Sequence, residues 1–220
     1  MKTILFDLDN TLTHREQTIR NYTKVFFSDY AHQLITGLDL VWLADKIVTL
    51  DEGGYSGHKE RSLRLAMLDV WRTRPNLDHL LTHWLSWVPT HPVMMPGLYP
   101  VLNKLKQWKF TLGIVTNGSQ NVQQTKIRAL KIEQYFDVVL TSEAAGWKKP
   151  EAGIFIAALS ALRCQAADAI FVGDHPINDY QGALSCGMKA IWFRGFHIWP
   201  ENLAPPQRYI DHLEHLLDKV

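Results

Sequence analysis

Residues 3–13 read TILFDLDNTLT, an apolar run that breaks into two aspartates, Asp7 and Asp9, two positions apart. A continuous run of this kind suits a strand buried on both faces. If the extended backbone persists past the run, both carboxylates project to the same side. Four similar runs follow, Phe110 to Thr116, Phe136 to Leu140, Ala169 to Gly173 and Lys189 to Phe193. The stretches between them, Gly97 to Trp108, Asn121 to Leu130 and Gly153 to Leu162, are amphipathic. That alternation predicts an α/β core in which helices cover a parallel sheet.

The long gap between the first two runs, roughly residues 14 to 92, carries no strand-like run. Apolar residues recur there at helical spacing over Tyr22 to Leu34, Leu38 to Leu50, Lys59 to Arg72 and Leu77 to Trp87. A small helical domain is therefore expected between the first strand and the rest of the sheet. The segment Val88 to Gly97, VPTHPVMMPG, would return the chain to the core, because each proline disfavours helix in the residue before it. Gly195 onwards is expected to form an irregular segment and a terminal helix.

The chain has 220 residues, 46% of them hydrophobic, which is enough for one substantial core and a smaller module. Basic and acidic side chains number 23 and 22, so no excess charge argues for a nucleic acid or a membrane surface as partner. The opening apolar run is too short for a secretory or membrane-spanning segment, and a cytoplasmic location is the default expectation. Cys164 and Cys186 fit no metal motif and read as buried free thiols.

Polar residues suited to phosphate and metal chemistry stand where the apolar runs end, and open parallel sheets bind ligands there. An ionised Asp7 can attack phosphorus, splitting ester hydrolysis into formation and breakdown of an aspartyl phosphate. Asp9 would protonate the leaving alkoxide and later take a proton from water. After the second run, the Thr116 hydroxyl and the amides around Asn117 and Gly118 can cradle phosphate oxygens. Lys148 and Lys149 precede Pro150, and one ammonium aimed inward would neutralise charge on a transferring phosphoryl group. The fourth run ends in GDHPIND, which supplies Asp174 and Asp179 as candidate ligands of a hard cation. Asp179 reads almost equally well as a helix N-cap before Tyr180.

In this order DLDNT, Thr116, the Lys149–Pro150 pair and GDHPIND resemble the four motifs of the haloacid dehalogenase-like hydrolase superfamily. The resemblance covers roughly residues 1 to 13 and 93 to 200. It implies a Rossmann-like catalytic core over residues 1–15 and 91–220, with a helical cap over 16–90. It also implies a magnesium-dependent phosphatase acting on a small phosphorylated metabolite. Asp7 would be nucleophile and metal ligand, and Asp9 the acid/base that also offers its backbone carbonyl to magnesium. Thr116, Asn117 and Lys149 would hold the phosphate, Lys149 being chosen over Lys148 because it stands immediately before the proline. Asp174 would be the second carboxylate ligand, with Asp179 completing the metal site or orienting water or Lys149.

Gly53, Gly54 and Gly57 precede a basic cluster of His58, Lys59, Arg61 and Arg64, a pattern resembling the loop that family caps lower over substrate. Lys59 is the candidate substrate contact, and a solvated place on a first helical turn is its equal alternative. Trp42, Trp71, Trp84 and Trp87 fit a helix core better than a stacking site. Other readings are a phosphomutase using the same nucleophile, a 2-haloacid dehalogenase, which has no need of Asp9, and a silent binder of a phosphorylated ligand. The physiological substrate and oligomeric state are not specified by the sequence.

Overall fold

The computed structural model describes residues 2–220. They divide into two compact units, Met1–Thr13 with Met94–Val220, and His14–Val93. The first unit opens with β1 (Thr3–Phe6). The second contains α1 (Arg15–Asp29), α2 (Leu40–Asp51), α3 (His58–Ala66) and α4 (Leu77–Trp87). The first then resumes with α5 (Leu98–Gln107), β2 (Thr111–Thr116), α6 (Gln120–Ala129) and β3 (Val138–Thr141). It continues through α7 (Ser142–Ala145), α8 (Ala152–Ala161), β4 (Ala169–Gly173) and α9 (Gly182–Ser185) to β5 (Lys189–Phe193) and β6 (Tyr209–Ile210).

All six strands are parallel, in the order β3-β2-β1-β4-β5-β6. The fold is therefore a Rossmann-like α/β sheet flanked by helices. Alternate residues of each strand point to opposite faces, and both faces are covered. Ile4, Phe6, Leu112, Ile114, Ile170 and Val172 pack with Val101, Leu105 and Ile127 of α5 and α6. Leu5, Val115, Phe171 and Ala190 pack with Ile154, Phe155 and Ala158 of α8 on the other face.

The expected C-terminal helix is present as a short 3-10 helix, and a strand that the sequence did not predict precedes it. Tyr209–Ile210 adds a sixth strand beside β5, and Leu213–Asp218 forms 3-10 turns that bury Leu213 and Leu216. A two-residue strand carries too little alternation to be seen in sequence. The pattern read as helix over Tyr22 to Leu34 is shifted, because α1 starts earlier, where the His14 side chain accepts the Gln17 amide. The helix expected over Lys59 to Arg72 stops at Ala66.

The second unit closes around Ile19, Tyr22, Phe26, Leu43, Ile47, Leu65, Leu80 and Trp84. Of the four tryptophans expected in a helix core, Trp84 is buried, Trp71 and Trp87 are partly buried against it, and Trp42 is exposed. The basic cluster after Gly57 is not wholly solvent-facing. Arg61 is 2% exposed and lies 3.0 Å from Asp51 Oδ1, with its guanidinium 4.2 Å from the Trp84 ring centroid. Arg15 grips the same carboxylate through Nε at 2.6 Å and Nη2 at 2.9 Å. One buried anion thus holds two buried cations. A buried pair broken on one side leaves an uncompensated charge, at a cost of about 3–5 kcal/mol. Asp51→Ala should therefore lower stability by about that amount in urea denaturation followed by tryptophan fluorescence. A loss under about 1 kcal/mol would show that the network is not fixing the unit's interior.

Candidate active site

The order of strand addition switches sides at β1, which has β2 and β3 on one side and β4 and β5 on the other. Loops diverge at such a point and leave a crevice beyond the strand ends. In register Phe6 lies beside Ile114 and Val172, so the next residue, Asp7, emerges at the C-terminal edge. Its amide donates to the Val172 carbonyl at 2.9 Å and keeps it tied to β4.

The strand ends at Phe6, and the chain bends at Leu8 and turns back after Asp9. The Leu12 and Thr13 amides both return to the Leu8 carbonyl at 2.9 Å, and Asn10 takes the left-handed conformation (φ 59°) that asparagine tolerates. The two aspartates consequently have different partners. Asp7 is buried, with Oδ1 2.5 Å from Lys149 Nζ. Asp9 is partly exposed, and its Oδ2 lies 2.6 Å from Lys126 Nζ.

Lys149, itself 3% exposed, also reaches Asp179 Oδ1 at 2.7 Å. Asn117 sets its backbone: Asn117 Oδ1 accepts the Lys149 amide at 2.8 Å, and Asn117 Nδ2 donates to the Lys149 carbonyl at 3.0 Å. The Asn117 side chain is thus a clamp between loops, which leaves its main chain for any phosphate. The Thr116 hydroxyl accepts Gln123 Nε2 at 2.6 Å. Gly118 follows at φ 138°, and the Ser119 side chain caps α6 by accepting the Val122 amide. Lys148 is exposed. Lys59 is exposed on the first turn of α3, in the other unit.

Asp174 and Asp179 are both 1% exposed. Asp179 is not the N-cap that its sequence position allowed. His175 caps the π-helical turn Pro176–Gln181, accepting the Ile177 and Asn178 amides, while Asp179 lies inside the turn with Oδ2 accepting the His175 amide at 2.9 Å. Its carboxylate presses against Gly173, where a Cβ would meet Oδ2 at 2.4 Å, so only glycine fits there.

Asp7, Asp174 and Asp179 each offer a carboxylate oxygen, and the three atoms lie within 4.8 Å of one another. Burial, opposed by Lys149, pushes Asp7 up to about 7. Burial together with the charges of Asp7 and Asp179 holds Asp174 well above the usual carboxylate range. Burial alone would lower the Lys149 ammonium, but Asp179 and Asp7 outweigh it and keep the group above an ordinary lysine. The nearby imidazoles bring little positive charge: burial lowers His175 to about 4 and also lowers His197, whose Nε2 lies 3.3 Å from Asp174 Oδ2. One ammonium among three buried carboxylates leaves a deficit of positive charge, in an all-oxygen cluster of the type a hard divalent cation takes. The residues therefore fit a divalent metal.

Gln123 and Lys126 are site residues that the sequence reading passed over as part of an amphipathic helix. Both are buried on α6, and both reach Asp9 Oδ2, Gln123 at 3.3 Å and Lys126 at 2.6 Å.

A buried aspartate, a buried lysine and paired carboxylates thus gather at the C-terminal edge of a Rossmann-like sheet, the arrangement of a hydrolase core. Residues 4–193 match the family model for haloacid dehalogenase-like hydrolases, and the chain belongs to that family. Over 100 residues it is 40% identical to a glyceraldehyde 3-phosphate phosphatase of Pyrococcus abyssi, a match covering 46% of this chain and 42% of that relative. The chain thus spans less than half the length of that relative. A glyceraldehyde 3-phosphate phosphatase of Methanopyrus kandleri is 36% identical over 230 residues, covering 100% of this chain and 97% of the relative. Among solved structures, the HAD-hydrolase YfnB of Bacillus subtilis superposes with a TM-score of 0.83 at 21% identity, covering 99% and 97% of the two chains. Among the described residues no helix is long and apolar enough to cross a membrane, and Cys164 and Cys186 are free thiols that are half-buried instead of buried.

Saturating magnesium should raise the melting temperature, by about 2.7 kcal/mol of stabilisation at a hundredfold excess over Kd. Asp174→Asn removes one of the crowded charges, so the metal-free variant should melt about 2–4 °C higher than wild type, equivalent to about 1 kcal/mol. The same variant should lose most of the magnesium-induced rise. Thermal denaturation of both proteins with magnesium or EDTA checks this, and an unchanged magnesium response in the variant would remove Asp174 from the metal site.

Proposed function

We propose that this protein is a magnesium-dependent phosphatase that hydrolyses a small phosphorylated sugar through an aspartyl phosphate on Asp7. The observation that carries the reading is the buried Asp7 carboxylate, gripped by Lys149 and set within reach of Asp174 and Asp179. The phosphatase names of two relatives, one aligned over nearly its whole length, support the substrate class.

In the first step an Asp7 oxygen bonds to phosphorus as the ester P–O bond breaks, and Asp9 gives its proton to the departing alkoxide. In the second, Asp9 takes a proton from water as the water attacks phosphorus, releasing inorganic phosphate and regenerating Asp7. Lys149 offers an ammonium to the equatorial phosphoryl oxygens, and the Thr116 hydroxyl with the Asn117 amide holds the same group, the Gly118 amide being spent on Ser142 Oγ at 2.9 Å. Asp7, Asp174 and Asp179, with the Asp9 carbonyl, would hold magnesium, which supplies positive charge to the phosphoryl oxygens and keeps the carboxylates ionised. Asp9 weighs against dehalogenation, which does not call for an acid/base two residues beyond the nucleophile. We assign the helical unit as the cap domain, with Lys59 its candidate substrate contact.

Release of inorganic phosphate from three- to six-carbon sugar phosphates and p-nitrophenyl phosphate tests the reading. Turnover should require magnesium and should fall by at least about 10³-fold in Asp7→Asn. Undiminished turnover in that variant would overturn the assignment of Asp7, and no turnover by the folded, magnesium-loaded protein would overturn the phosphatase reading.

A further inference from the structure

The partners of Asp9 form a linkage that the two-step chemistry does not itself require. Lys126 is 4% exposed, and its ammonium lies 2.6 Å from Asp9 Oδ2. Gln123, one turn earlier on α6 and 2% exposed, spends one amide nitrogen on three acceptors: Thr116 Oγ1 at 2.6 Å, the Asn117 carbonyl at 3.2 Å and Asp9 Oδ2 at 3.3 Å. The loop after β1 and the loop after β2 are thereby joined through α6. Asp9 Oδ1 is held differently, by the Thr13 hydroxyl at 3.2 Å, which can turn away by rotation. One carboxylate oxygen is fixed by a buried ammonium and an amide, and the other accepts the Thr13 hydroxyl.

We infer that Lys126, seconded by Gln123, is a positioning residue that anchors Asp9 through Oδ2 so that Oδ1 carries the proton between the ester oxygen and water. The inference rests on the phosphatase reading above and adds to it a selective role for α6. A short side chain such as aspartate, on a loop and partly exposed, samples several rotamers unless its oxygens are tied. General acid catalysis depends on the proton donor's placement relative to the leaving oxygen. A charged hydrogen bond from a buried ammonium is a strong tie, and Lys126 needs no contact with substrate to supply it.

A misplaced acid harms esters unequally. An alkyl phosphate leaves as a strongly basic alkoxide and needs its proton during P–O cleavage, whereas p-nitrophenolate leaves without one. The ratio of kcat/KM for the two esters, which covers steps up to formation of the aspartyl phosphate, therefore reports on Asp9 placement. Lys126→Met should lower kcat/KM for the preferred sugar phosphate by about 10-fold or more and for p-nitrophenyl phosphate by less than about 3-fold. KM and the magnesium response in thermal denaturation should change little. Lys126→Arg should restore part of the sugar phosphate activity, and Gln123→Leu should show the same selectivity with a smaller loss.

Equal losses for both esters would mean a general structural role and would overturn the inference, as would no loss for either. Should Lys126→Met fail to fold, the ester ratio of Gln123→Leu decides in the same way. Absence of wild-type turnover on both esters fails the phosphatase reading and the inference with it. Turnover by wild type with an unchanged ester ratio in the variants fails the inference alone.

Discussion

The site depends on one buried ammonium. Lys149 bridges Asp7 and Asp179 at 2.5 and 2.7 Å, and without it three carboxylates with oxygens within 4.8 Å of one another would stand in a buried cluster with no fixed counter-charge. Even with it, burial and mutual repulsion hold Asp7 and Asp174 above the usual carboxylate range. This residual deficit suits the cluster to a divalent cation. The lysine is itself held by its backbone through the two Asn117 contacts, so the charge is placed by a neighbouring strand's loop and not by its own side-chain rotamer alone.

The sheet makes that arrangement affordable. Asp7, Thr116 and Asp174 each stand at the end of a strand whose register is fixed by apolar residues on both faces, and Lys149 follows α7, the short helix after β3. A one-residue slip would turn those residues to the wrong face, so the packing that stabilises the core also specifies where the polar groups emerge. Close fits refine the placement: Gly173 lacks the Cβ that would strike Asp179, and the Trp192 indole donates to the Asp174 carbonyl at 2.7 Å.

Much of this was legible in the sequence because strands buried on both faces leave unbroken apolar runs. Ala169–Gly173 and Lys189–Phe193 stand as those runs predict, and the DLDNT and GDHPIND segments follow their strands directly. Residues acting through long-range contacts were not legible. Gln123 and Lys126 sit three positions apart on a helix and look like a solvated face, until the fold turns them towards Asp9, more than a hundred residues earlier. Arg61 read as part of a basic cluster on a cap loop because nothing local marks Asp51 as its buried partner. Asp179 offered a cap by position, but the preceding imidazole took that role.

The most direct test of the account is to quench the enzyme during turnover of a phosphomonoester, reduce it with borohydride and locate the product by peptide mass spectrometry. An acyl phosphate on a carboxylate is reduced to the alcohol, so the account predicts homoserine in place of aspartate at position 7, dependent on substrate and magnesium. Steady turnover with no reduction at position 7, or reduction at another carboxylate, would contradict it.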